Sequence, residues 1–483
     1  MKMGKDSLKL SISKVMVLLV TMVTSMLLSR YRTLNEYGTY SQILLIVNLF
    51  ISIFSLGIPN SINYFMVRCE DNEQKRFFLS NYYSMNFIMG ILIGCSLTAL
   101  LPVIVIFFNN PYITKFWFLL AMLPFCKLIV SSIGNFLIVY KKITPLIAYN
   151  IISAILLLSI VFICELVDWG FWEYTVLLLI VEISLAIAVL IIVIRLAGSL
   201  RFILDKNMLK MIFAYTVPLG LAASVSVLNS ELDKLMIGYL MNVESAALYA
   251  NAARELPLTI ISSSFTAILL PKMVLDAKKQ DFNSAISKWS LCVKFNFLIL
   301  CFFAMICFVF APQIITILYS GKYIDGANVF RVYSIALLLR VTYFGMILNA
   351  TGKTQFVFWS TILALVLNIV LDYVLFYILG FVGPAVATII SITIIQFAQL
   401  KFSSSLIKYK FRDIFPWFFL FKVCVVNFLF GAILWLAKRR LGLEIEFSQI
   451  VQAVVLGFVA SLIYIFCFRK TFLHLWKRIN EER

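Results

Sequence analysis

Ionisable side chains stranded in apolar sequence are the residues of this chain best placed to do chemistry. Lys127, Glu182, Arg254, Glu255 and Arg340 each fall near the middle of a long apolar run, and Asp233 and Asp372 lie closer to the ends of theirs. A charge at the centre of a lone membrane helix costs about 2.5–3.5 kcal/mol on insertion scales, so such groups face a partner or a cavity. The cations Arg254, Arg340 and Lys127 would hold an anionic group there. The acids Asp233, Glu182, Glu255 and Asp372 would bind H⁺ or a metal cation such as Na⁺. Lys14, Lys294, Lys422 and Arg331 lie near the ends of their runs, where long stems reach the interface. Arg30 and Arg32 close the first run and suit either a cavity or an interfacial anchor.

Spacing sorts these residues further. Glu231 and Lys234 are three apart and can pair along one helix face, whereas Asp233 points about 100° away from Lys234 and is left for a cavity. Asn368 and Asp372, four apart, share a face. Pro218 and Pro257 each remove a helix hydrogen bond and allow a kink beside these charges.

Other chemistries have no support. The nine cysteines form no C-x-x-C pair and the single histidine is His474, so metal and redox roles fail and no cofactor is expected. Gly352–Lys353–Thr354 resembles the end of a P-loop, but the required first glycine is replaced by Ile347. No acid–base pair sits in a polar loop. The chain reads as a non-enzyme.

The elements that must position these groups are membrane helices. Residues are 62% hydrophobic with mean hydropathy +0.99, and a helix needs about 20 apolar residues to cross a bilayer. Fourteen such runs are legible, from residues 11–28 to 447–468, with residues 245–270 as the eighth and 327–350 as the tenth. Lipid leaves open backbone groups without partners, so the fold class is an all-α integral membrane protein. Nothing like a cleavage site follows the first run, so it is no removable signal.

The net charge of +18 is placed by topology. With a cytoplasmic N-terminus, 26 of the 41 Lys and Arg residues fall on the cytoplasmic side and seven on the other. That asymmetry puts both termini in the cytoplasm and accounts for the basic tail without a nucleic-acid partner.

The chain also repeats itself. Tyr40 and Tyr249 close similar approaches to the second and eighth runs, 209 residues apart. Gly134 and Lys142 recur as Gly345 and Lys353, each shifted by 211. Six spans per copy insert both the same way up, the layout of parallel repeats in alternating-access transporters. The expected organisation is therefore residues 1–196 as an N-terminal lobe and 211–405 as a C-terminal lobe. Residues 197–210 form an amphipathic cytoplasmic linker, either a short helix on the membrane surface or a simple connector, and 406–483 add two helices and a basic tail.

Several motifs together resemble the polysaccharide flippase family of the multidrug/oligosaccharidyl-lipid/polysaccharide exporter superfamily, over nearly the whole chain. They are Tyr37–Gly38–Thr39–Tyr40 with Leu56–Gly57–Ile58–Pro59, and the Asp233–Gly238 run leading to Tyr249. The Leu348–Lys353 turn, and Asn368–Asp372 followed by Gly380–Ala385, complete the set. The resemblance implies two six-helix lobes around a central cavity, with two extra helices. It implies flipping of an undecaprenyl-diphosphate-linked oligosaccharide across a bacterial inner membrane, for O-antigen, capsule or exopolysaccharide. Polymerase and chain-length machinery would then be pathway partners. Family precedent gives cavity cations to the diphosphate, here Arg254, Arg340, Lys127 and Arg30. The acids among the candidates depart from a purely cationic cavity. A multidrug/cation antiporter of the same superfamily is the alternative. A membrane-embedded polymerase or ligase would need a large outer loop, and the longest here, residues 311–326, is short.

Overall fold

The computed structural model describes residues 2–254, 257–443 and 447–481, so Glu255 lies outside the described residues. The chain is all-helical, with no strand among the described residues. Packing divides it into two compact units, Met1–Ala247 and Leu248–Arg483.

The first unit carries α1 (Lys2–Tyr31), α2 (Leu34–Phe54), α3 (Ser61–Arg68), α4 (Asn72–Ala99) and α5 (Leu101–Phe108). It continues with α6 (Trp117–Ser131), α7 (Ile133–Val139), α8 (Ile143–Leu166), α9 (Phe171–Ala197) and α10 (Lys206–Leu240). Short polar caps start these helices. Thr33 and Glu36 form a reciprocal capping box on α2, and Asp71 and Asp205 accept the Gln74 and Met208 N–H groups at the heads of α4 and α10. Helices close up where small residues allow it. A Cβ at Gly94 of α4 would stand 2.1 Å from the Ala121 carbonyl oxygen of α6, a small-residue contact typical of membrane helices.

α10, which the repeat assigns to the second lobe, packs in the first unit. Gly220 lies so close to the turn after α2 that a Cβ would meet Leu56 backbone at 2.0 Å, and the Ser224 hydroxyl donates to the Ser52 carbonyl at 2.7 Å. Pro218 does not interrupt α10, which is helical throughout.

Of the two readings of the linker, the structure takes the connector. Residues 198–205 are not helical. Gly198, at φ +89°, ends α9, and α4 then holds the extended chain with three side chains. Ser80 Oγ, Ser84 Oγ and Asn81 Oδ1 accept the N–H groups of Arg201, Ile203 and Asp205 at 3.2, 3.0 and 2.6 Å. Arg76 adds hydrogen bonds to Ser199. Satisfying the backbone this way removes the need for a helix.

α11 (Val243–Ala252) crosses the division, and the second unit continues with α12 (Thr259–Lys278), α13 (Phe282–Val309), α14 (Ala311–Tyr319), α15 (Ala327–Ala336) and α16 (Met346–Ala350). It ends with α17 (Thr354–Leu379), α18 (Gly383–Leu406), α19 (Trp417–Arg440) and α20 (Phe447–Glu481). α17 and α18 form a tight hairpin, and α13 is the core strut. Trp289 of α13 is fully buried against Phe415. The two helices beyond the repeat pack onto it as well: Tyr464 of α20 donates to the Leu298 carbonyl at 2.9 Å and accepts from Asn427 of α19 at 3.4 Å.

Eleven helical stretches among the described residues are long and apolar enough to cross a membrane, one of them, Thr354–Leu406, covering both α17 and α18. Large apolar side chains point outward, among them Ile106 at 78%, Phe418 at 81% and Phe466 at 79% exposure. So much outward apolar surface is a lipid-facing wall. The protein is a multi-pass membrane protein. The expected spans at residues 245–270 and 327–350 are not continuous, and those breaks matter most for the site.

Candidate functional site

Two arginines line one pocket where two helices of the second unit stop. Helical structure ends at Ala252 and resumes at Thr259. Pro257 has no N–H to give and disfavours helix in the residue before it. Arg254 sits in this gap, half-buried, its backbone N–H on the Asn251 carbonyl at 3.3 Å.

The second break has no proline. α15 tightens into a 3₁₀ turn at Leu337–Leu339, Arg340 follows it, and helix resumes only at Met346. Neighbouring helices satisfy the opened backbone. Gln396 Nε2 of α18 donates to the Leu339 carbonyl at 2.9 Å, and Asn296 Nδ2 of α13 donates to the Val341 carbonyl at 2.9 Å. Trp289 Nε1 donates to the Thr342 hydroxyl at 2.8 Å. Non-helical backbone at membrane depth persists only with such partners or beside a cavity; here it has both.

Arg254 and Arg340 line one pocket, together with Thr259, Tyr333, Ser334 and Thr388. Its enclosed volume of about 30 Å³ holds on the order of two waters. An anion larger than that would meet the guanidiniums at the mouth, where Arg340 is exposed. The Thr388 hydroxyl oxygen is buried without a hydrogen-bond partner among the described residues. Arginine presents a planar fork of donors that matches phosphate oxygens; Phe330, Ala336, Leu337 and Ile392 supply the apolar part of the same lining.

Asp372 is fully buried on α17, one turn beyond Asn368, whose Oδ1 accepts the Ser391 hydroxyl of α18 at 2.9 Å. Thr388 lies three residues before Ser391, so the Asn368–Asp372 face borders the α18 segment that lines the arginine pocket.

The remaining candidates fall elsewhere. Lys127 of α6 is not a lone cation: its Nζ donates to Glu182 Oε1 of α9 at 2.9 Å. Each neutralises the other, which is how two charges are tolerated inside an apolar unit. Glu231 and Lys234 pair at 2.7 Å, as their spacing requires. Asp233 is buried on α10 and accepts the Lys234 N–H at 2.8 Å. Arg30 is exposed at the end of α1, while Arg32 is buried with Nη2 on the Trp169 carbonyl at 2.9 Å, a structural tie. The Cys69 thiol, in the connection after α3, is pushed up by burial and is a poor nucleophile.

The two copies of the repeat are unlike here. Shifting Arg254 back by 209–211 reaches residues 43–45, Ile43, Leu44 and Leu45, inside unbroken α2. Shifting Arg340 by 211 reaches Ile129 in α6. Both helix breaks that bear arginine belong to the second copy. The braces Asn296, Trp289 and Gln396 escape sequence reading, because single polar residues in apolar runs look like ordinary inter-helix glue.

The fold built around this site is that of flippases and multidrug transporters. A lipid II flippase MurJ in an inward closed conformation superposes with TM-score 0.73 at 16% identity, over 96% of this chain and 99% of that one. An inward-facing multidrug resistance MATE family transporter of the MOP superfamily gives 0.61 at 15% identity, over 81% and 94%. A MOP superfamily transporter from Pyrococcus furiosus gives 0.55 at 15% identity, over 83% and 94%. No curated protein sequence matches. Residues 27–328 match the polysaccharide biosynthesis protein family, and the chain belongs to that family.

Proposed function

We propose that this protein flips an undecaprenyl-diphosphate-linked oligosaccharide from the inner to the outer leaflet of a bacterial inner membrane by alternating access, with both termini cytoplasmic. The observation that carries the reading is the convergence of Arg254 and Arg340 on one pocket at two helix breaks. Two guanidiniums lining one pocket suit a diphosphate diester, which carries two negative charges. Arg30 would meet the headgroup at the membrane surface. The Lys127–Glu182 pair enters as one neutral unit rather than as a separate diphosphate ligand.

The direction of transport follows from the same charge. Moving about two negative charges outward across an inside-negative membrane releases about 4–5 kcal/mol per 100 mV. Asp233 and Asp372, both buried, are the acids through which H⁺ or Na⁺ would couple. A multidrug/cation antiporter would need acids at the pocket where this chain has two arginines, which ranks that reading second.

Deleting the gene should leave undecaprenyl-linked glycan accumulated on the cytoplasmic side. Arg254→Ala and Arg340→Ala should reproduce this while the protein still inserts. Losing one charge-assisted contact of roughly 1.5–3 kcal/mol should slow flipping about 10- to 100-fold. Normal surface glycan in both variants would overturn the assignment.

A further inference from the structure

The first unit carries a second, differently built pocket that the arginine site does not use. Its volume is about 570 Å³, within the roughly 300–1,000 Å³ of small-molecule sites. Asn35 and Glu36 at the head of α2, and Asn109, Tyr112 and Lys115 from the connection between α5 and α6, supply its walls; Val243 stands at the edge. These segments are the connections that follow the first, third and seventh spans, so they share one membrane face.

The walls are fixed from behind. Glu36 Oε2 accepts from the Thr33 backbone N–H and hydroxyl, each at 3.0 Å. Asn109, at φ +45°, stops α5 in the left-handed conformation and leaves its side chain exposed. Asn110 behind it is buried, with Nδ2 donating to Thr39 Oγ1 at 3.0 Å and Gln42 Oε1 at 2.8 Å. Its Oδ1 accepts the Tyr112 N–H at 3.1 Å, which ties the loop to α2. The Tyr112 ring is steadied edge-on against Phe116, with Lys115 Nζ 4.7 Å from its centre.

We propose that this pocket binds the glycan of the lipid-linked substrate on the outer face. The inference rests on the flippase reading above for the identity of that face. Its chemistry is that of sugar recognition: planar amides and a carboxylate offer donors and acceptors together, and hydroxyl groups of a sugar are both at once. An aromatic ring gives a flat apolar face for sugar C–H groups. Glu36 and Lys115 cancel, so the pocket has no bias toward an anion and differs in kind from the arginine site.

The test uses the full chain in phosphatidylcholine nanodiscs. The probe is the lipid-free repeat-unit oligosaccharide released by mild acid from the host's own precursor, followed by saturation-transfer NMR titration. Wild-type protein should bind it saturably. Asn109→Gly keeps the backbone conformation and removes the amide, and Tyr112→Leu removes the ring. Each should weaken binding about tenfold, the effect of one net hydrogen bond or ring contact, whereas Tyr112→Phe should bind as wild type does. No saturable binding by the wild type, or unchanged binding in both Asn109→Gly and Tyr112→Leu, overturns the proposal. Failure here with intact dependence of flipping on Arg254 and Arg340 removes only the glycan site. Normal flipping in the arginine variants removes the diphosphate assignment instead.

Discussion

Lys127 and Glu182 show what can and cannot be read at the scale of single residues. Both were recognisable as out of place in apolar sequence, but their partnership joins α6 to α9 across 55 positions and leaves no trace in local spacing. The Glu231–Lys234 pair was legible because one helix turn brings residues three apart together. The long-range pair has a measurable signature. Lys127→Met should leave Glu182 buried without its counter-charge and lower thermal stability, and Lys127→Met with Glu182→Leu should regain much of the loss. A double-mutant cycle on purified protein in detergent should give a coupling of about 1–3 kcal/mol. Additive single effects would show that the two charges act independently.

At the scale of elements, apolar patterning located the helices and missed where they stop. The gap at Arg254 had a visible cause in Pro257. The gap after Leu339 has no proline, and Gly345 marks only its far end, where helix resumes at Met346. It exists because Asn296, Trp289 and Gln396 reach across from other helices to hold the opened chain. The linker was open between helix and connector for a related reason: its mix of apolar and basic residues suits a surface helix, but Ser80, Asn81 and Ser84 of α4 hold it extended. Asn296→Leu or Gln396→Leu should each strand a backbone carbonyl. The expected loss is about 1–3 kcal/mol per site, read as a lower unfolding midpoint in detergent. Flipping should fall with it, because Arg340 would lose its fixed position. A variant with unchanged stability and transport would show that the break does not depend on these braces.

For the whole molecule, composition sufficed to establish an all-helical membrane protein, and loose motifs spread over the chain sufficed for its family. The division by packing was not legible. The repeat begins its second copy near residue 211, but Gly220 and Ser224 draw α10 into the first unit. Close approach of this kind depends on which surface a glycine faces, which a single sequence does not record. Energetics also belongs to this scale. If buried Asp233 and Asp372 couple transport to an ion, purified protein in liposomes should flip faster under an imposed pH or Na⁺ gradient. Asp372→Asn or Asp233→Asn should abolish that response. Flipping indifferent to both gradients would leave the membrane potential as the driving force.

The restriction of both arginine-bearing breaks to the second copy has a consequence for descent. If the halves arose from one ancestral segment, they have since diverged: the second carries arginine at its helix breaks, while the first keeps unbroken helix at the corresponding positions. A back-to-back assembly of two identical second halves would double the arginines at helix breaks, and one of two first halves would have none at those positions. Neither half can now stand in for the other.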